Sequence, residues 1–218
     1  MLNRVVLYFV IVALAVLASS TLSPPVAAVG GIWVVDDDSS DCVDGSAPDY
    51  PTITQALSVA TNFDTIRVCE GEYTEASMTI NVSLTITGPG ATAEDDGVAT
   101  VHHGGGDSAL FIIDSDGVTI EGLALDVTPP PSLGVDTVGI AGSGNYVTIQ
   151  DNEIRDATWG AISVGWIGPV ASNVNVLRNN LHGEGIGIGC RCNDSGVWSN
   201  TVDGDHHAPI EFVGDRGT

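Results

Sequence analysis

Four segments decide how this chain is read: Val118-Thr-Ile-Glu-Gly-Leu-Ala-Leu125, Val147-Thr-Ile-Gln-Asp-Asn-Glu-Ile154, Val174-Asn-Val-Leu-Arg-Asn-Asn-Leu181 and Ser195-Gly-Val-Trp-Ser-Asn-Thr-Val202. They align without gaps, and their starts lie 29, 27 and 21 residues apart. In each, apolar positions alternate and then skip across a bend. That is the pattern of a short strand, a sharp corner and another strand. Repeats of this length signal a solenoid. A second strand recurs between the copies, at Val138-Gly-Ile140, Ala161-Ile-Ser-Val164, Ile186-Gly-Ile188 and Ile210-Glu-Phe212. One coil cannot bury its apolar face alone, so several must stack. Ile120, Ile149, Val176 and Val197 are then expected to pile into one interior column.

Asn152, Asn179 and Asn200 occupy the same place in three copies. Asn tolerates left-handed backbone and bonds to backbone at corners. At the strand spacing of about 4.8 Å, the three amides are expected to form a ladder inside the turn. An antiparallel sandwich would also give short strands at regular spacing. It would not place corner Asn at matched positions. A leucine-rich repeat would need a denser leucine pattern.

Working outward toward the N-terminus, Thr52-Ile-Thr-Gln55 fits a helix start. Ile53, Ala56, Leu57 and Ala60 then give one apolar helix face, with Asn62 expected to end it. Thr65-Ile-Arg-Val68 and Ser83-Leu-Thr-Ile-Thr87 alternate as strands, and the latter stops at Gly88-Pro-Gly90. Trp33-Val-Val-Asp-Asp-Asp38, Tyr50-Pro-Thr-Ile-Thr-Gln-Ala-Leu57, Asp64-Thr-Ile-Arg-Val-Cys-Glu-Gly-Glu-Tyr73 and Leu84-Thr-Ile-Thr-Gly88 together resemble the opening of secreted, pectin-lyase-like right-handed β-helix proteins. The resemblance covers residues 32–90, and the later coils in pattern only. It implies an all-β, single-stranded right-handed parallel β-helix whose short N-terminal helix caps the open end of the coil. The expected organisation is a signal peptide at 1–28, a cap and first coil at 29–90, and coils at 91–218. The chain stops after a strand with no closing repeat, so the C-terminal end is expected to continue into further coils or to be covered by another chain.

Residues 1–28 read as a signal peptide. Arg4 supplies the positive start, Val5 to Ala18 is an uncharged apolar run, and Val26-Ala-Ala28 fits the cleavage rule. The run is shorter than the roughly 20 residues a membrane span needs. The mature chain is therefore expected to be secreted or at the cell surface, and not to span a membrane. There the four Cys sit in an oxidising compartment. Cys42 and Cys69 flank the capping unit and are the favoured bridge. Cys190 and Cys192 on one straight strand would lie too far apart to bond and need a turn between them, or other partners.

Lys+Arg is 6 against Asp+Glu 28, a formal charge of −22, and every one of the six is Arg. Such a surface repels nucleic acid and anionic membranes and attracts cations. No cofactor is required by any motif, although Ca²⁺ suits the many Asp residues.

β-helix enzymes of the resembled family work on an exposed face of the coil, with charged side chains stacked from successive rungs. The residue after the last inward position gives one such column: Asp126, Arg155, His182 and Asp203. Arg155 would clamp a uronate carboxylate, His182 or Arg155 would take the adjacent proton, and an Asp would hold Ca²⁺ or act as the acid. A solvated polar ladder gives the same pattern. Glu153 and Arg178 lie beside the column. Asp203, Asp205, His206 and His207 form a candidate metal cluster, and His102-His103 a weaker one. Trp159, Trp166 and Trp198 are candidates for stacking on sugar rings. The Asp-Asp with a following His-Gly of β-helix hydrolases and the Asp-Pro-His of alginate epimerases are absent. The expected function is therefore binding or presentation to extracellular polysaccharide, non-catalytic in this segment. A polysaccharide lyase acting on an acidic polymer, and a structural adhesion repeat, are the alternatives.

Overall fold

The computed structural model describes residues 30–38, 42, 45, 47–90, 97–128, 136–166, 168–183, 185–204 and 206–214. The segment read as a signal peptide lies outside these. The strands form three sheets, and within each sheet every pairing is parallel. Sheet A contains Ile32–Val35, Asp64–Val68, Leu84–Thr87, Thr119–Glu121, Thr148–Gln150, Asn175–Leu177 and Gly196–Trp198. Sheet B contains Gly71–Ala76, Ala99–Gly105, Ala124–Asp126, Glu153–Ala157, Asn180–Gly183 and Thr201–Asp203. Sheet C contains Met78–Ile80, Ala109–Ile113, Val138–Gly142, Gly160–Val164, Gly185–Asn193 and His206–Val213, with the short Ala171–Ser172 beside it.

From Asp64 onward the chain visits A, B and C in turn for most of its length, and each new strand pairs with the one a circuit earlier. The two-residue period of a strand then sends alternate side chains inward. Ile66, Ile86, Ile120, Ile149, Val176 and Val197 pair one above another in sheet A. Tyr73, Val101, Leu125, Ile154, Leu181 and Val202 do the same in sheet B. Phe111, Ile140, Ile162, Ile188 and Ile210 line sheet C. These columns meet in one buried apolar cluster, apart from Ile210, which stays half-exposed on the last strand. Each fully buried Ile, Leu or Val contributes about 1.5–3 kcal/mol, set against the entropy of ordering the chain.

The corners between sheets A and B carry the expected Asn ladder, with one correction. The residues in left-handed backbone are Asp151, Arg178 and Ser199, at φ of 56°, 54° and 59°. Each immediately precedes the Asn, and Gly122 holds the equivalent place at 69°. The Asn residues turn their amides inward instead. Asn152 Nδ2 donates to Ile120 O at 3.0 Å, Asn179 Nδ2 to Ile149 O at 2.9 Å, and Asn200 Nδ2 to Val176 O at 2.8 Å. A backbone carbonyl turned into the corner has no strand partner, so a buried amide must satisfy it.

The helix Ile53–Val59 lies against the first strands of sheets A and B. Thr52 caps it, accepting from Gln55 N at 3.2 Å. It ends at Ala60, two residues before the expected Asn62. Buried Glu75 of sheet B supplies a second cap, accepting from Ile53 N and Thr54 Oγ1 at 2.6 Å each. Cys42 and Cys69 are bonded, as favoured. Cys190 and Cys192 are bonded to each other, with Cα atoms 5.4 Å apart. Two such residues on a straight strand would lie about 6.6 Å apart. The strand bends here, because Cys190 runs beside Val164 whereas Cys192 runs beside Ala171. Among the described residues no helix is long and apolar enough to cross a membrane.

Candidate functional site

The outward face of sheet B carries the chemistry. Thr74, His102, Asp126, Arg155, His182 and Asp203 pair in register, rung over rung. Six rungs at strand spacing make a row of roughly 24 Å. The four residues predicted as a column are four consecutive members of it. A second outward column runs two residues earlier along each strand: Glu72, Thr100, Ala124, Glu153, Asn180 and Thr201.

The two columns are knitted by charge. His102 Nδ1 lies 3.0 Å from Asp126 Oδ2, and its Nε2 contacts Glu72 Oε2. Both ring nitrogens are therefore engaged by carboxylates. Hydrogen bonding to Glu72 raises the His102 imidazole above its ordinary value; burial opposes this and Asp126 adds to it. Burial works to raise Asp126, but hydrogen bonds from Thr128 and His102 outweigh it and hold the carboxyl below its usual range. Thr128 Oγ1 donates to Asp126 Oδ1 at 2.6 Å.

The next rungs repeat the theme with a buried carboxylate. Glu153, only 7% exposed, accepts from Arg155 Nε at 2.8 Å and faces Arg155 Nη2 at 2.7 Å through the same oxygen. His182 Nε2 lies 3.5 Å from that oxygen too. Hydrogen bonding to Glu153 raises the Arg155 guanidinium further. In this strongly acidic chain, two of five His and one of six Arg gather on one face.

Other candidates are placed elsewhere. Arg178 sits at the corner and pairs with Asp151 at 2.6 Å, outside the row, because left-handed backbone turns its side chain off the sheet. Trp198 belongs to sheet A, where its ring lies across Gly196: a Cβ there would fall 1.3 Å from Cζ3. Trp159 is 38% exposed, just before the sheet C strand Gly160–Val164. His102 and His103 do not act together, since strand alternation points them apart. His103 is buried, and its Nε2 lies 3.1 Å from Asp107 O. Of the proposed metal cluster, Asp203 is in the row, while Asp205 and the side chains of His206 and His207 lie outside the described residues.

Asp36, Asp37 and Asp38 bring carboxylate oxygens within 4.8 Å of one another. Two of them already serve backbone donors: Asp36 accepts from Asp38 N, and Asp37 from Glu72 N, both at 3.2 Å.

Glu72 was missed as a site residue, and His102, considered only with His103 as a metal candidate, was missed as a member of this row. Their strands precede the first clear copy of the repeat, so alignment of the copies never reached them. The signal available was outward alternation around Tyr73 and Val101. Comparison of the chain with protein-family models, with curated proteins and with solved structures gives no match.

Proposed function

We propose that this chain is a secreted right-handed parallel β-helix of the pectin-lyase-like kind, whose sheet B face binds extracellular polysaccharide without catalysis in this segment. The observation that carries the reading is the in-register row from Thr74 to Asp203. A rigid row of donors and acceptors at sheet spacing suits an extended chain of hydroxyl-bearing rings, which needs many modest hydrogen bonds in line. The apolar signal-like segment and the two disulfides favour an extracytoplasmic location. The reading requires no cofactor.

Non-catalysis is favoured by how fully the groups are already used. His102 has no ring nitrogen left to take a proton, and Arg155 is held against Glu153. One observation favours the lyase alternative. Glu153 faces only one nitrogen of His182, beside the Arg155 guanidinium. A carboxylate-oriented His next to an Arg is the arrangement that removes a proton adjacent to a uronate carboxylate.

The test is binding to pectate, alginate and neutral glycans, with and without Ca²⁺, while following unsaturated product by ultraviolet absorbance. Binding that weakens at least about tenfold in Arg155→Ala/His182→Ala, with no product, supports the proposal. Product formation abolished by Arg155→Ala replaces it with the lyase reading. Undiminished binding by the double variant removes sheet B from consideration.

A further inference from the structure

A cleft of about 350 Å³ opens on the outer face of sheet C, a different surface from the sheet B row. That volume is at the lower end for small-ligand sites. Its floor is apolar: Ala109 and Ala141 pack with Val138 and Ile112 in a small cluster separate from the interior. Asp107 and Asp114 stand exposed at its rim, and Ser143 on its wall. No Lys, Arg or His is among the described residues that line it.

The floor continues along one strand-to-strand column from Ile112 through Ala141 to Ser163 and Gly189. Ser163 is 3% exposed, and its Oγ has no partner. Trp166 lies over the last place in the column: a Cβ on Gly189 would fall 2.9 Å from its Nε1, which is also buried without a partner. Gly168 of the same segment folds back against Ser143, where a Cβ would meet Oγ at 3.1 Å. Trp166 and Gly168 therefore stand beside the Ser163 end of the cleft. Buried polar atoms are normally paired, because an orphan loses its hydrogen bonds to water without replacing them. An unpaired hydroxyl and indole N–H beside an apolar cleft mark a place where a polar ligand completes the set.

We propose that this cleft binds a unit of an amine-bearing sugar polymer. The C–H face of the ring rests on Ala109, Ile112 and Ala141. The ammonium meets Asp107 and Asp114, and ring hydroxyls reach Ser143 and the Ser163 end of the cleft. Charge selects the class. A rim of two carboxylates with no counter-charge, on a chain of net charge −22, attracts a polycation and repels a uronate polymer.

The experiment titrates the full chain with short glucosamine oligomers, N-acetylglucosamine oligomers and galacturonate oligomers at fixed ionic strength, following tryptophan fluorescence and calorimetry. Asp107→Asn/Asp114→Asn should weaken glucosamine binding at least about tenfold. The control Asp156→Asn/Asp194→Asn removes the same charge at two exposed left-handed positions that Asn tolerates. It should change binding by no more than about twofold. Trp166→Phe should abolish the fluorescence response. Arg155→Ala/His182→Ala should leave this binding intact, which separates it from the sheet B reading. Equal losses in the two double variants, equal affinity for the N-acetylated oligomer, or no loss in Asp107→Asn/Asp114→Asn would each overturn the proposal.

Discussion

Asn179 holds Asn152 from below: through its single Oδ1 it accepts both the backbone N–H and the side-chain Nδ2 of Asn152, at 3.1 Å each. Asn200 does the same for Asn179, at 2.9 and 3.0 Å. The corner is thus a continuous chain of amides, and each member satisfies donors that water does not reach. Asn179→Ala should cost about 2–4 kcal/mol, because it orphans Asn152 above and two carbonyls beside it. Asn200→Ala, half-buried, should cost less. Urea denaturation of the two single variants gives the ranking; equal and small losses would mean that the ladder is incidental.

Left-handed backbone at the residue before each Asn carries a separate cost. Ser199 is exposed and sits at φ 59°. Ser199→Gly should raise stability by about 0.5 kcal/mol, the relief of left-handed strain exceeding the entropy lost on ordering glycine. Ser199→Val should lower it by about 1 kcal/mol or more. Melting temperatures of the pair give opposite signs if the backbone drives the effect.

Asp64 contributes to the acid sensitivity of the fold. Hydrogen bonds from Thr61 N, Trp33 Nε1 and Gly31 N lower its carboxyl to about 2. Because the folded value lies below the unfolded one, this contribution is complete above about pH 4 and is lost as pH falls toward 2. Asp64→Asn should remove that part of the acid sensitivity and cost about 1–3 kcal/mol at neutral pH. Stability curves between these two pH values check it.

His102 works in the opposite sense. Its folded value is raised by Glu72 and Asp126. Its contribution is therefore full below the unfolded value near 6.5 and is lost as pH rises through the folded one. His102→Gln should lower the melting temperature at and below about pH 6.5 and change it least at alkaline pH, which flattens the decline between them. An unaltered alkaline slope would show that the two carboxylates do not hold a charged imidazole.

The two disulfides should differ in weight. Cys42–Cys69 closes a loop of sequence separation 27, Cys190–Cys192 one of only 2. Replacing the first pair by Ala should cost about 3–4 kcal/mol and the second markedly less, since loop-closure entropy grows with loop length. Denaturation of the two double variants measures the difference.

The site row was legible from Asp126 to Asp203, because the repeat copies carry their own alignment and a strand alternates strictly. His102 and Glu72 were not. Their strands, Ala99–Gly105 and Gly71–Ala76, precede the aligned copies, and the spacing from His102 to Asp126 differs from the later spacings. For Cys190 and Cys192 the sequence left open a turn between them or other partners, and the passage of one long strand from Val164 to Ala171 decided for the turn.

Local sequence by itself determined which side chains face inward, where the corners fall and which residues are equivalent from copy to copy. These follow from the two-residue period of a strand and from repetition. Tertiary structure alone decided which charges touch across strands: Glu72 and Asp126 with His102, Glu153 with His182, and Glu75 with the helix start. Such contacts join rungs separated by loops of unequal length, and only the stacking of one circuit on another sets their register.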